Sequence, residues 1–163
     1  MVYPPEKINK RTEVIEVYKI LLATDGSENS FKAVEKAIEI AKPLEADLTV
    51  LSVAQDVPVF KGQEGLSYDQ AVALQKNMVE GMEKAAQEVL ENTKKVFADH
   101  GMEVRTMLKK GQPANVICDE ATSGDYNMVI LGSRGLGGLK EFILGSVSNK
   151  VAHCAHTSVL IVK

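Results

Sequence analysis

The alternation of short apolar runs with amphipathic helical segments constrains the fold of this chain more than any other feature. Continuous apolar runs such as Ile20–Ala23 and Met128–Leu131 are typical of strands buried on both faces of a sheet. Between such runs, apolar residues recur every three or four positions, as they do along one face of a helix. The alternation predicts an α/β fold in which helices cover both faces of a parallel sheet.

Nine elements are expected, in the order β-α-β-α-β-α-β-α-β. We expect the first helix to end at Pro43 and the apolar stripe of the long second helix to pack against the sheet. The stripe comprises Ala71, Leu74, Met78, Met82, Ala85, Val89 and Val96. The predicted strands are Ile20–Ala23, Asp47–Ala54, Glu103–Lys109, Met128–Leu131 and Ser158–Val162, and the predicted helices are Glu28–Lys42, Ser67–His100, Pro113–Ser123 and Ser146–Ala155.

Length and composition suit one globular domain with no nucleic-acid or membrane partner. With 163 residues, the chain is interpreted as a tail over residues 1–13 and a domain over residues 14–163. The net charge of -3 lacks the basic surplus of nucleic-acid-binding proteins. No apolar run approaches the roughly 18 residues that span a bilayer, and no signal peptide is evident, so a cytoplasmic location is expected.

The two cysteines are expected to be unpaired structural residues. Cys118 and Cys154 are too few for a disulfide framework, and both fall in predicted helices. His153 and His156 flank Cys154, but these positions do not share one helix face, which argues against a metal site. We therefore expect Cys118 to be a small buried helix residue and the two histidines to face solvent.

The segment Met128–Ser148 has the three parts of a phosphate-binding cradle. A buried strand ends at Gly132, a glycine-rich loop follows, and Gly145-Ser146 opens a helix. Glycines allow a backbone to approach an anion closely, and a helix N-terminus offers N–H groups and a positive dipole end. A strand order of 3-2-1-4-5 would place Asp25, after the first strand, in the same crevice at the switch point.

The glycine spacing excludes two common phosphate loops. No glycine in the segment is followed by Lys and then Ser or Thr in the frame of a Walker loop. The dinucleotide pattern G-x-G-x-x-G fails because, counted from Gly135, its last position is Lys140. What the segment contains is Gly132, Gly135 and Gly145-Ser146 in the spacing G-x2-G-x9-G-S.

This spacing resembles the nucleotide-binding signature of the universal stress protein family, in its ATP-binding branch. The segments KILLATDGSENS (Lys19–Ser30), GQPANVI (Gly111–Ile117) and the ending SNKVAHCAHTSVLIV are similar to other parts of that family. The resemblance thus covers nearly all of the chain from Tyr18 onward. It implies a Rossmann-like fold of the adenine nucleotide alpha hydrolase type, with a five-stranded parallel sheet in the order 3-2-1-4-5.

The same resemblance implies a ligand, a partner and a role for each matching residue. The ligand is ATP, accompanied by Mg²⁺ or Mn²⁺ bound through its phosphates, and the protein is a stress-response regulatory module. A homodimer is implied through the terminal strand Ser158–Val162, which departs from the family pattern at Thr157-Ser158. The implied nucleotide-binding residues are Ala23, Asp25, Val53, Leu131, Gly132, Gly135, Gly145, Ser146, Val147 and Ser148.

Each of these assignments has a simpler alternative. Gly132 and Gly135 could form only a tight turn, Ser146 and Ser148 could be plain helix N-caps, and Asp25 could only cap the first helix. Arg134 and Lys140 could neutralise phosphate or be solvated. At the level of function, the alternatives are a slow ATP hydrolase or nucleotidyl-transfer enzyme of the same fold and a structural dimerisation module. The sequence marks no catalytic residue or metal ligand for either.

Overall fold

The computed structural model describes residues 17–56, 67–137 and 144–163. The tail predicted over residues 1–13, most of the loop expected at Gln55–Leu66, and Lys140 lie outside the described residues. The described part contains the nine expected elements in the expected order. No helix within it is both long enough and apolar enough to cross a membrane.

Five parallel strands, numbered along the chain, form one sheet in the order 3-2-1-4-5, which confirms the predicted fold class. Every predicted strand and helix boundary lies within two residues of the observed one. The strands are β1 (Lys19–Ala23), β2 (Asp47–Gln55), β3 (Arg105–Gly111), β4 (Met128–Gly132) and β5 (Ser158–Val162). The helices are α1 (Glu28–Leu44), α2 (Tyr68–Asp99), α3 (Pro113–Ser123) and α4 (Ser146–Cys154).

Two apolar layers hold the helices against the sheet. On one face, Leu22 and Val50 pack with α1 and with Phe97 of α2, all at most 2 % exposed. On the other face, Leu21 and Leu131 pack with residues of α3 and α4. Successive strand residues alternate between these layers because strand side chains point alternately to opposite faces. Both faces are covered, as the continuous apolar strand runs predict.

The predicted end of α1 at Pro43 is wrong by one residue. Pro43 lies inside the last turn of α1, which runs to Leu44, and the chain then turns through Glu45 in the left-handed region (φ 48°). A proline lacks an N–H group, but the C-terminal turn loses only one helical hydrogen bond to it. The N–H of Ala46 donates to the carbonyl of Ala41 and closes the helix end.

The predicted packing of the α2 stripe is wrong for the N-terminal half of that helix. Leu74, Met78 and Met82 are 42 %, 37 % and 45 % exposed, whereas the buried residues of α2 are Ala86, Leu90, Thr93 and Phe97. A helix of 32 residues is about 48 Å long. The nine residues of β2 span about 30 Å, so α2 extends beyond the sheet that its C-terminal half covers.

The cysteines are paired, contrary to the sequence-based expectation. A disulfide joins Cys118, in the middle of α3, to Cys154, the last residue of α4, with their Cα atoms 6.2 Å apart. Cys118 is buried (7 % exposed), as predicted. Cysteine spacing alone does not reveal whether two helices pack side by side, and it is this packing that brings the two sulfur atoms together.

Candidate functional site

The candidate site lies at the carboxyl ends of β1 and β4, which are adjacent in the sheet. Ala23 pairs with Leu131 in the parallel register of these two strands. From β1 the chain proceeds towards one edge of the sheet through β2 and β3, and from β4 it proceeds towards the other edge. Such a reversal of strand order opens a crevice beyond the strand ends, where ligands of open α/β sheets bind.

Asp25 follows β1 and contacts the glycine-rich loop that follows β4. Its Oδ2 accepts a hydrogen bond from the N–H of Leu136 at 3.1 Å, and its Oδ1 accepts one from the N–H of Ser27 at 3.0 Å. The N-cap of α1 is Ser27, whose Oγ accepts from the N–H of Ser30. Asp25 is therefore not the cap of α1, and its carboxylate connects the two loops of the crevice.

Two serine hydroxyls fix the same loop from opposite sides. Ser27 Oγ donates to the carbonyl of Arg134 at 3.2 Å. Ser148 Oγ lies 2.8 Å from the carbonyl of Ser133 and 3.0 Å from that of Gly145, so its single proton is shared between two acceptors. The N–H of Gly145 also donates to the Ser133 carbonyl, at 2.8 Å. The loop is thus connected to the first turns of both α1 and α4.

Steric contacts within the protein explain why two of the predicted positions are glycine. A Cβ atom on Gly132 would lie 2.6 Å from the backbone carbon of Asn29 in α1. A Cβ atom on Gly135 would lie 2.4 Å from Asp25 Oδ2. Neither glycine is among the described glycines with positive φ, so conformational freedom is not the reason for either. Both allow close approach, in this structure to the protein's own atoms.

The N-terminus of α4 faces the crevice without a side-chain cap. Gly145 is the N-cap residue, and it has no side chain that could accept a hydrogen bond from the N–H groups of the first turn. Ser146 and Ser148 lie in the first turn, so the alternative in which either is the N-cap is wrong. The first N–H groups of a helix have no acceptor within the helix. In α4 these groups, with the exposed Ser146, form the end of the site that suits an anion.

The remaining predicted residues lie on the apolar side of the crevice. Ala23 and Leu131 are 7 % and 3 % exposed and belong to the layer that packs on α3 and α4. Leu51 of β2 is paired with Ala23 in the sheet register. Val53 lies two residues further along β2, near the carboxyl end of that strand. Val147, in the first turn of α4, packs against the same layer. The structure therefore places all ten predicted residues around the carboxyl end of the sheet.

Sequence reasoning missed a group of buried hydroxyls that support the site. Thr24, Ser27, Ser30 and Ser133 are each less than 9 % exposed. Thr24 Oγ1 donates to Ser30 Oγ at 3.2 Å, and Ser30 Oγ donates to the Ser27 carbonyl at 2.8 Å. Buried polar groups need hydrogen-bond partners, and the hydroxyls of Thr24, Ser27 and Ser30 find them in one another and in nearby backbone carbonyls. The sequence does contain a signal for this group, because a hydroxyl residue directly follows each of two adjacent buried strands: Thr24 follows β1, and Ser133 follows β4.

Within residues 17–56, 67–137 and 144–163, no group of three or more His, Cys, Asp or Glu side chains is arranged so that it could hold a metal ion. Within the same described ranges, Asp25 is the carboxylate in contact with the loop, and each of its oxygens accepts a backbone hydrogen bond. Arg134 follows Ser133 in the loop, is partly buried, and has interactions of its own.

The sheet order, the crevice at the switch point and the strand–loop–helix cradle define a Rossmann-like α/β protein. The chain belongs to the universal stress protein family, whose family model matches residues 17–163. It is 36 % identical over 146 residues to the universal stress protein YxiE of Bacillus subtilis, an alignment that covers 89 % of this chain and 98 % of YxiE. It is 33 % identical to the universal stress protein MJ0531 of Methanocaldococcus jannaschii, covering 89 % and 81 % of the two chains.

Solved structures share the fold at lower sequence identity. The universal stress protein UspA of Lactobacillus plantarum superposes with a TM-score of 0.76 at 21 % identity, covering 90 % of this chain and 97 % of that one. Two further members were solved with adenine nucleotides. One, from Archaeoglobus fulgidus, is in complex with dAMP (TM-score 0.59, 18 % identity, coverage 91 % and 99 %), and one, from Arabidopsis thaliana, has AMP bound (TM-score 0.59, 20 % identity, coverage 90 % and 91 %).

Proposed function

We propose that this protein binds ATP in the crevice between β1 and β4 and acts as a nucleotide-dependent regulatory module of the stress response. The observation that supports it most directly is the N-terminus of α4, which has no side-chain cap among the described residues and is held beside Ser133 by the Ser148 hydroxyl. Phosphate groups fit such a terminus because backbone N–H groups and the helix dipole both favour negative charge. The adenine nucleotides bound by two relatives of the same fold indicate the class of ligand.

The two ends of the crevice differ in polarity, as a nucleotide requires. Ala23, Val53 and Leu131 offer apolar contacts for an adenine ring at the strand ends. Gly145, Ser146 and the first-turn N–H groups of α4 offer hydrogen bonds for phosphates. In this arrangement Asp25 would lie near the ribose and phosphates, and its contact with Leu136 holds the loop in place.

The proposed Mg²⁺ or Mn²⁺ would be held mainly by the nucleotide. Small divalent ions of this type keep several waters and bind phosphate oxygens with few protein ligands. The described residues fit that mode, since they offer Asp25 beside the loop and no dedicated cluster of carboxylates. When bound, the ion would neutralise phosphate charge and so help a chain of net charge -3 to hold a polyanion.

We infer that the site holds ATP and does not turn it over efficiently. Hydrolysis requires a base or a polar group that positions the attacking water, together with groups that stabilise charge on the transferred phosphoryl group. Among the residues that the structure describes, Asp25 is the carboxylate in contact with the loop, and each of its oxygens accepts a hydrogen bond from a backbone N–H group. The engagement of this carboxylate favours a binding role over the alternative of a slow hydrolase or nucleotidyl-transfer enzyme.

Purified protein is expected to bind ATP with a dissociation constant in the micromolar range or below, and to carry adenine nucleotide after purification. Isothermal titration with ATP, GTP and inorganic phosphate, each with Mg²⁺, measures the affinity, and absorbance with mass spectrometry after denaturation identifies carried nucleotide. Phosphate release at stoichiometric protein should be slower than one turnover per minute. Equal affinity for GTP, or binding of no nucleotide at millimolar concentration, would contradict the proposal.

We also propose a two-fold homodimer formed by antiparallel pairing of β5 strands. β5 is the outer strand beside β4, and its residues Val159–Val162 remain partly exposed. An apolar edge strand with free backbone groups is a template for pairing with another chain. A cytoplasmic location is part of the same proposal, because ATP is abundant inside cells.

Replacing Val159 with proline is expected to convert the dimer to a monomer. The Val162 carbonyl accepts from the N–H of Ser133, so it faces β4, and alternation along the strand directs the N–H of Val159 to the open edge. Proline at position 159 removes this outward donor and keeps the bonds to β4. Light scattering at micromolar concentration measures the mass, and circular dichroism verifies the fold. A monomeric wild-type protein would refute the proposed dimer.

A further inference from the structure

The disulfide between Cys118 and Cys154 encloses the β4 half of the proposed site in a covalent loop. The two cysteines are 36 positions apart in the sequence. The enclosed residues include all of β4, the glycine-rich segment and the whole first turn of α4. The residues of the site that come from β4 onward therefore lie between the two cysteines: Leu131, Gly132, Gly135, Gly145, Ser146, Val147 and Ser148.

The helix that the disulfide holds is too short to be stable without such contacts. α4 has nine residues, and isolated helices of this length are marginal in water. At its first turn, Ser148 Oγ bonds the Ser133 and Gly145 carbonyls. In the middle, Val151 is fully buried against the layer formed with α3. At its last residue the disulfide fixes it to α3. The N-terminus at the crevice and the sulfur bridge are thus the two ends of one short rigid element.

We propose that the Cys118–Cys154 disulfide is a redox control of nucleotide affinity, an inference that rests on the proposed ATP-binding function. With the bridge intact, the first turn of α4 and the loop residues Ser133–Gly137 are pre-organised, and binding needs little further ordering. With the bridge reduced, the loop gains conformational freedom that ATP must remove when it binds. In the proposed cytoplasmic location, disulfides are uncommon, and those that form usually have redox-sensing or catalytic roles.

The reaction that switches the state is reduction by a dithiol. A thiolate of the dithiol attacks Cys154 Sγ, the sulfur on the more exposed of the two residues, and releases Cys118 as a thiolate that takes up a proton. The second thiol of the reductant then attacks the mixed disulfide and releases Cys154. Two electrons and two protons pass to the protein, and the dithiol leaves as a cyclic disulfide. Oxidation by a disulfide of the same class reverses both steps.

Reduction is expected to weaken ATP binding about tenfold. Because the coupling of two equilibria is reciprocal, ATP should favour the oxidised protein by the same factor. A tenfold change corresponds to about 30 mV in the midpoint potential of this two-electron couple. We therefore expect the dissociation constant for ATP to rise after reduction, and the midpoint potential of the disulfide to be lower when ATP is present.

The test compares oxidised and dithiothreitol-reduced protein by titration with ATP and Mg²⁺, and follows hydrogen exchange of the α4 amides without nucleotide. The double variant Cys118→Ala with Cys154→Ala is the control, since the reductant should not change its affinity. We expect weaker binding and faster α4 exchange in the reduced wild-type protein. Equal affinities in the two redox states would overturn the proposal and leave the proposed function standing.

The exchange measurement separates failure of this proposal from failure of the proposed function. If neither redox state bound ATP, the proposed function would be refuted, and redox control of ATP affinity would be refuted as well. Unchanged exchange in α4 on reduction would overturn the claim that the disulfide orders this helix, whatever the ligand. The comparison of two redox states of the wild-type chain does not depend on the double variant folding.

Discussion

Replacement of Gly135 by valine is expected to weaken ATP binding at least a hundredfold while the fold remains intact. The first added carbon would lie 2.4 Å from Asp25 Oδ2, so the carboxylate must move away from the N–H of Leu136. The loop then loses its connection to β1, and the branched side chain occupies the approach to the backbone. A hundredfold loss corresponds to about 2.7 kcal/mol of binding free energy.

Gly137, two residues further along the same loop, provides the matched control. A Cβ atom there would meet no atom of the described residues within 4 Å, and Gly137 is exposed. Gly137→Val should therefore bind ATP within threefold of the wild type, whereas Gly135→Val should not. Titration calorimetry measures both affinities, and circular dichroism confirms helix content. If both valine variants bound ATP equally well, Gly135 would not belong to the site.

The structure assigns different roles to Gly132 and Gly135. Gly132 faces the backbone of Asn29 in α1 and lies at the end of β4, so its missing Cβ serves the packing of a helix on a strand. Gly135 faces a side-chain carboxylate in an exposed loop. The sequence pattern treats them alike, as members of one glycine motif. The structure separates them, because only the contacts show that one glycine serves packing and the other serves the loop.

The fold could be predicted from the sequence where burial is continuous along the chain. The run Ile20–Ala23 contains no polar residue because both faces of β1 are covered, and this is visible without coordinates. The alternation of strands and helices then leaves a parallel sheet as the expected fold. The strand order and the site residues came from the resemblance of the glycine spacing to a known family. The hydrogen bond from the Leu136 N–H to Asp25 Oδ2 could not be predicted, since the two residues are 111 positions apart in the sequence.

Two failures of prediction have a common physical origin. Helical periodicity in α2 identifies the apolar face of the helix but carries no information on how far the sheet beneath it extends. The predicted stripe therefore continues past the sheet. It is also rotated from the buried face, since Ala85 is exposed whereas its neighbour Ala86 is buried. Cysteine spacing likewise carries no information on which helices pack together, and so the Cys118–Cys154 bridge was missed. Both properties belong to the arrangement of elements in space, which local patterns do not encode.

Replacement of Phe97 by alanine is expected to lower the free energy of unfolding by about 3–5 kcal/mol. Phe97 is fully buried near the C-terminus of α2 and packs with residues of α1 and of the sheet. Its removal leaves a cavity that the surrounding side chains fill only in part. For a chain of this size the change corresponds to a fall in the melting temperature of roughly 10 °C. Urea unfolding and calorimetry measure the two quantities.

Met78 on the same helix tests whether this effect depends on position relative to the sheet. It belongs to the stripe that periodicity assigns to the core, yet it is 37 % exposed because α2 extends beyond the strands there. Met78→Ala should change the free energy of unfolding by no more than about 0.5 kcal/mol, as exposed substitutions usually do. A loss of 2 kcal/mol or more, the minimum typical of buried Met→Ala changes, would show that this half of α2 is covered in solution. The stabilising contacts of α2 would then extend over its whole length.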